Sequence, residues 1–159
     1  MEALEKSETN MVGVCGMGGI GKTTLVKEVG FKAKREGLFN MVVMAVVSQS
    51  AEIPRIQRQL GEQLDLRYSC ETEYGRANQL RAGIKREDKI LVILDDVWSK
   101  IRLTEIGIPY GNDHDGCCKV LLSTRREQVC TSMGCQEIIH MELLDDKGAW
   151  DLFLSLIHI

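Results

Sequence analysis

Several features are missing from this chain, and each absence narrows what it can do. No apolar stretch approaches the length that crosses a bilayer. The longest, Met41 to Val47, has the size of a strand buried on both faces. The six cysteines contain no C-x-x-C pair, and Cys117 and Cys118 are adjacent. A zinc site assembled from Cys117, Cys130, Cys135 and His114 or His140 has the wrong spacing for the common frameworks. Met1 to Asn10 is polar and acidic and does not read as a secretory signal, so the thiols are expected to be reduced in a cytoplasmic protein. No basic patch is present. The net charge is −3, and the densest cationic cluster, Lys32, Lys34 and Arg35, falls at a helix end, where the dipole favours cations. Nucleic acid is therefore not an expected partner. Internal repeats and low-complexity tracts are also lacking, and 159 residues are about one domain.

What is present begins with Gly16-Met17-Gly18-Gly19-Ile20-Gly21-Lys22-Thr23-Thr24, which fits the phosphate-loop pattern G-x-x-x-x-G-K-[ST]. Backbone N–H groups that converge on a polyphosphate need residues that tolerate unusual backbone angles and carry no Cβ in the way. The helix that follows aims its positive end at the same anion. Lys22 supplies a point charge for the β- and γ-phosphates, and the Thr23 hydroxyl a ligand for Mg²⁺. The context agrees. Met11–Cys15 reads as a strand leading in, and Thr24 to Arg35 as a helix leading out, with Leu25, Val26, Val29 and Ala33 on one face.

Further strands are expected at Met41–Val47, Ile90–Leu94, Val120–Ser123 and Ile138–Met141. Between them, Ile53, Ile56, Leu60 and Leu64 recur at helical spacing behind Pro54, as do Tyr74, Ala77, Leu80 and Ile84. A last helix from Glu127 to Met133 ends at Gly134. Gly111 to Gly116 is turn chemistry. Strands that alternate with helices predict an α/β, three-layer P-loop NTPase fold with a five-stranded parallel sheet flanked by helices. The third strand ends in Asp95-Asp96, two carboxylates delivered to the ligand crevice. Asp95 would hold magnesium, and Asp96 would orient or deprotonate an attacking water. Lys22 and Asp96 are thus the candidate catalytic residues. If the fourth strand lies between the loop strand and the Asp-Asp strand, Arg125 at its end can read the γ-phosphate.

Gly16–Thr24, Leu94-Asp95-Asp96-Val97-Trp98, Lys119–Arg125 and Ala149-Trp150-Asp151-Leu152-Phe153 together resemble the ordered motifs of the NB-ARC domain, the nucleotide switch of plant disease-resistance receptors with leucine-rich repeats. Trp98 and the stretch Phe39–Leu66 resemble the coiled-coil class. The resemblance implies an ADP-bound resting state, exchange for ATP on a pathogen signal, assembly into oligomers, and slow ATP hydrolysis as reset. It also implies a sensor strand between the loop and Asp-Asp strands. The implied cofactors are ADP/ATP and Mg²⁺. The implied partners are the remaining domains of the receptor and further copies of it.

The chain departs from that pattern in places. Only Met1 to Asn10 precede the loop strand, where the family has an adenine-contacting segment, and the family's downstream motifs are absent. Gly148 stands where the family has a reciprocal capping Glu opposite Asp145, a loss worth ~1 kcal/mol. Residues 154–159 do not follow the family and are expected to be a non-native tail. Residues 1–144 are expected to form the nucleotide-binding subdomain, and 145–153 the start of a truncated helical one. Two other readings stay open. One is a stand-alone P-loop kinase or NTPase, although no Asn-Lys-x-Asp guanine motif is present. The other is a truncated interaction module that binds nucleotide weakly or not at all.

Overall fold

The computed structural model describes residues 9–19, 21–109, 118–141 and 146–156. Ile20, the Gly111–Gly116 turn, Cys117, His114 and Asp145 lie outside the described residues. Among those described, five parallel strands form one sheet in the order β2-β3-β4-β1-β5. They are β1 (Met11–Cys15), β2 (Met41–Ser48), β3 (Ile90–Val97), β4 (Cys118–Thr124) and β5 (Glu137–His140). Helices α1 (Lys22–Arg35), α2 (Ile53–Gln63), α3 (Glu73–Lys85), α4 (Leu103–Ile106), α5 (Glu127–Met133) and α6 (Asp146–Leu156) complete the described architecture. The sheet is five-stranded and flanked by helices, as the alternation of periodicities predicts, and β4 lies between β1 and β3.

The period of two along each strand divides the core. Val12, Val14, Leu91, Ile93 and Leu121 face α1, where Leu25, Val26, Val29 and Ala33 are buried, and α6, which buries Ala149, Trp150 and Phe153. Met11, Cys15, Val43, Val92, Leu94, Val120 and Leu122 face α2, α3, α4 and α5. Because β1, β3 and β4 are covered on both sides, they read as continuous apolar runs. Helix α6 continues through Leu154 and Leu156, both packed against the first of these cores.

Two expectations are corrected. β2 is the sheet's edge, not a strand buried on both faces. Val43, Ala45 and Val47 are buried, while Val46 is 37% exposed. An apolar sequence cannot distinguish a central from an edge strand, and the edge is protected in another way. Gln63 accepts from the Met44 N–H at 2.8 Å and donates to its carbonyl at 2.6 Å. Gln59 does the same at Val46, at 2.9 and 3.1 Å. Two carboxamides one helical turn apart thus stand in for a sixth strand and close the free edge. Tyr74, expected on the buried stripe of α3, lies in that helix's first turn and is 79% exposed. Thr72 caps the same helix by accepting the Gly75 N–H at 3.0 Å.

Candidate functional site

At the carboxyl end of the sheet, Gly18, Gly19, Gly21, Lys22, Thr23, Val46, Asp95, Asp96, Ser123 and Arg125 line an open cleft of about 570 Å³. Such a crevice at the strand ends is where a doubly wound sheet binds ligands. β1 delivers the loop, which leads directly into α1. Gly19 and Gly21 have φ values of 82° and 88°, a left-handed conformation that residues with a Cβ rarely adopt. The α1 N-terminus has no side-chain cap and no acid in its first turn, so no described side chain there competes with an anion for its N–H groups.

Lys22 is buried. Its Nζ donates to the carbonyls of Gly16 at 2.6 Å and Met17 at 2.7 Å. Burial holds its pKa below the usual lysine value. Arg125 nearby lowers it further, and Asp96 and Asp95 act in the opposite direction. An anion placed between Lys22 and Arg125 would relieve that repulsion. Opposite the loop, Asp95 is only 3% exposed. It accepts the Thr23 hydroxyl at 2.8 Å and the Ser123 hydroxyl on its other oxygen.

Alternation along a strand would send Asp95 and Asp96 to opposite faces. The register between β3 and β4 shifts between Leu94 and Val97, and Asp96 takes a φ of 60°. This bulge brings both acids to the cleft. The Asp96 N–H is held by Ser123 Oγ at 2.9 Å. Arg125 leaves the end of β4 and lies over the Trp98 ring at 5.1 Å. Its guanidinium carbon would be 2.8 Å from a Cβ at Gly18, so the second glycine of the loop is the space Arg125 occupies.

The structure therefore brings Gly18, Gly19, Gly21, Lys22, Thr23, Asp95, Asp96 and Arg125 together. Gly16 and Met17 contribute carbonyls to Lys22, while the Met17 side chain is exposed. Thr24, in the first turn of α1, lines a separate hollow with Glu28 and Trp150. Sequence reasoning missed Ser123, which joins both acids, and Trp98 as the platform for Arg125. A serine at the end of an otherwise apolar central strand was the available signal for the first. Among the described residues no cluster of His, Cys, Asp or Glu is arranged to hold a metal by itself. The donor set Thr23 hydroxyl plus Asp95 carboxylate is hard oxygen chemistry that fits Mg²⁺ when a ligand's phosphates supply the other oxygens.

Three comparisons place the chain among known proteins. Cdc6p from Pyrobaculum aerophilum superposes over 98% of the chain and 46% of its own, with a TM-score of 0.61 at 11% identity. The Aeropyrum pernix ORC2 protein, solved as ADPNP–ADP complexes, covers 84% of the chain and 41% of its own, with a TM-score of 0.53 at 20% identity. Disease resistance protein RFL1 from Arabidopsis thaliana is 38% identical over 146 residues, which is 89% of the chain and 16% of that protein. The chain spans less than a quarter of the length of the curated relatives it matches. The family model for the NB-ARC domain matches residues 1–158, nearly from end to end, and the chain belongs to the NB-ARC domain family.

Proposed function

We propose that this chain is the ADP/ATP-binding switch segment of a plant disease-resistance receptor that acts in the cytoplasm. The observation that carries the reading is the pairing across one cleft of a buried lysine and an uncapped helix N-terminus with the Thr23–Asp95 pair. The family match supports the receptor assignment, and a similar fold in a protein solved with ADPNP and ADP supports the ligand class. In this reading the loop amides and Lys22 bind the phosphates, and Thr23 and Asp95 hold Mg²⁺, which neutralises charge on the phosphate chain when bound. Asp96 orients or deprotonates a water for slow hydrolysis. Arg125 contacts the γ-phosphate in only one conformation and so biases the equilibrium by the energy of that contact. Residues 1–144 form the nucleotide subdomain, and 145–153 open the next. The rest of the receptor and further copies of it are the partners.

Titration of the purified chain with fluorescent ADP, ATP and GTP tests this. Adenine nucleotides are expected to bind, and Lys22→Ala to abolish binding. Preference for GTP would favour a stand-alone NTPase, and no binding at all the interaction module.

A further inference from the structure

The end of α5 places two thiols together on the flank of the loop strand. Gly134 has a φ of 84°. Its N–H donates to the Thr131 carbonyl at 3.1 Å, and the Cys135 N–H donates to the Cys130 carbonyl at 3.0 Å. This is a Schellman motif, which folds the residue after the glycine back onto the one five positions earlier, usually through an apolar contact. Here both residues are cysteines, so the motif sets two thiols side by side. Both sulfurs converge on Gly13 of β1. A Cβ there would lie 2.5 Å from Cys130 Sγ and 3.0 Å from Cys135 Sγ, so the glycine is the room in which the pair fits.

The two thiols are unequal. Cys130 is fully buried, whereas Cys135 is partly exposed. The neighbouring Cys135 side chain and its own burial push the Cys130 thiol well above the usual range. A small reagent reaches Cys135 first, and Cys130 waits behind it.

We propose that Cys130 and Cys135 are a redox-modifiable dithiol, closed to an intramolecular disulfide by a small disulfide of the glutathione type. The Cys135 thiolate attacks one sulfur of the reagent, forms a mixed disulfide and releases the first small thiol, which carries the proton Cys135 gave up. Cys130 then attacks the Cys135 sulfur and expels the second small thiol, which takes the Cys130 proton. Two protein thiols are oxidised, one small disulfide is reduced to two thiols, and the protein gains no atoms. The new bond ties the end of α5 to the turn before β5. There the Gln136 N–H donates to the Met11 carbonyl at 3.0 Å and its side chain accepts the Met11 N–H at 3.1 Å. Oxidation therefore acts on the strand that carries the phosphate loop.

Incubation of the unmodified chain with oxidised glutathione, followed by intact mass and peptide mapping, decides the matter without any variant. The expected result is loss of two hydrogens, a Cys130–Cys135 bridge, and full reversal by dithiothreitol. Cys130→Ser is expected to stop at a glutathione adduct on Cys135. A persistent adduct on Cys135 in the unmodified chain, a bridge to any other cysteine, or no reaction would overturn the proposal.

Discussion

Removing the Ser123 hydroxyl tests how the acid pair is held. Ser123 is buried in β4, donates to Asp95 and accepts from the Asp96 N–H at 2.9 Å. Ser123→Ala deletes a hydrogen bond to a buried carboxylate, worth about 1.5–3 kcal/mol, and leaves a backbone N–H without its partner, worth about another 1 kcal/mol where water reaches it in part. The sum is a loss of about 2.5–4 kcal/mol. For a chain of this size that corresponds to a Tm lower by roughly 5–16 °C. Urea titration with circular dichroism measures it. Ser155→Ala serves as control, because Ser155 is exposed and donates only to the Leu152 carbonyl within its own helix. Its effect is expected within about 0.5 kcal/mol. If the two variants lose the same stability, Ser123 is not the post on which both acids hang. The variant is also expected to weaken magnesium-dependent nucleotide binding more than magnesium-free binding, since Asp95 loses its anchor and the loop does not.

Gly18→Ala puts a methyl where the Arg125 guanidinium lies. It is expected to cost under about 1 kcal/mol of stability, the worth of an exposed cation–π contact, yet to narrow the ratio of ATP to ADP affinity as Arg125→Ala does; an unchanged ratio by titration would separate Arg125 from phosphate sensing. Asp96→Gly relieves the left-handed strain at φ 60° and is expected to raise stability by about 1 kcal/mol in urea titration while eliminating measurable hydrolysis. In the free protein Lys22 has a pKa below 10.5, and bound phosphate favours its charged form. Affinity for ADP is therefore fully present at low and neutral pH and falls as pH rises through the free-state value, before an ordinary lysine would titrate. Calorimetric titration across the alkaline range measures that midpoint, which Arg125→Ala should move upward by removing a neighbouring cation.

The parts legible in the sequence are those where chemistry constrains residue type at a fixed spacing. Glycines with positive φ and a lysine one step into a helix announce the loop, and Asp95-Asp96 after an apolar run announces the opposite wall. The buried faces of α1 and α2 follow from periodicity. What escaped depends on neighbours distant in sequence. Helix α4 spans four residues and is too short to show a period. Tyr74 has the right spacing but falls in the first turn of α3, where it stays exposed. Ser123 and Trp98 gain their roles from strand order, because β4 lies between β1 and β3. The Cys130–Cys135 pair has no standard spacing. Only the left-handed turn at Gly134 brings the two together.

The bulge at Asp95 and Asp96 ties these observations to one another. A regular strand would place one acid in the cleft and turn the other toward the opposite, apolar core, where an unpaired carboxylate is costly. Inserting a shift at this point costs a ladder register and a non-glycine residue at φ 60°, of order 1–3 kcal/mol. That cost is offset because the same shift lets a single hydroxyl, Ser123, bind the carboxylate of one acid and the backbone of the next. Thr23 completes the arrangement from the first turn of α1. Loop, acids and the strand between them are thus joined through hydrogen bonds between three elements, β3, β4 and α1. A ligand that takes the Thr23 hydroxyl away from Asp95 must act on all three at once. Such a junction can pass the state of a phosphate on to the sheet.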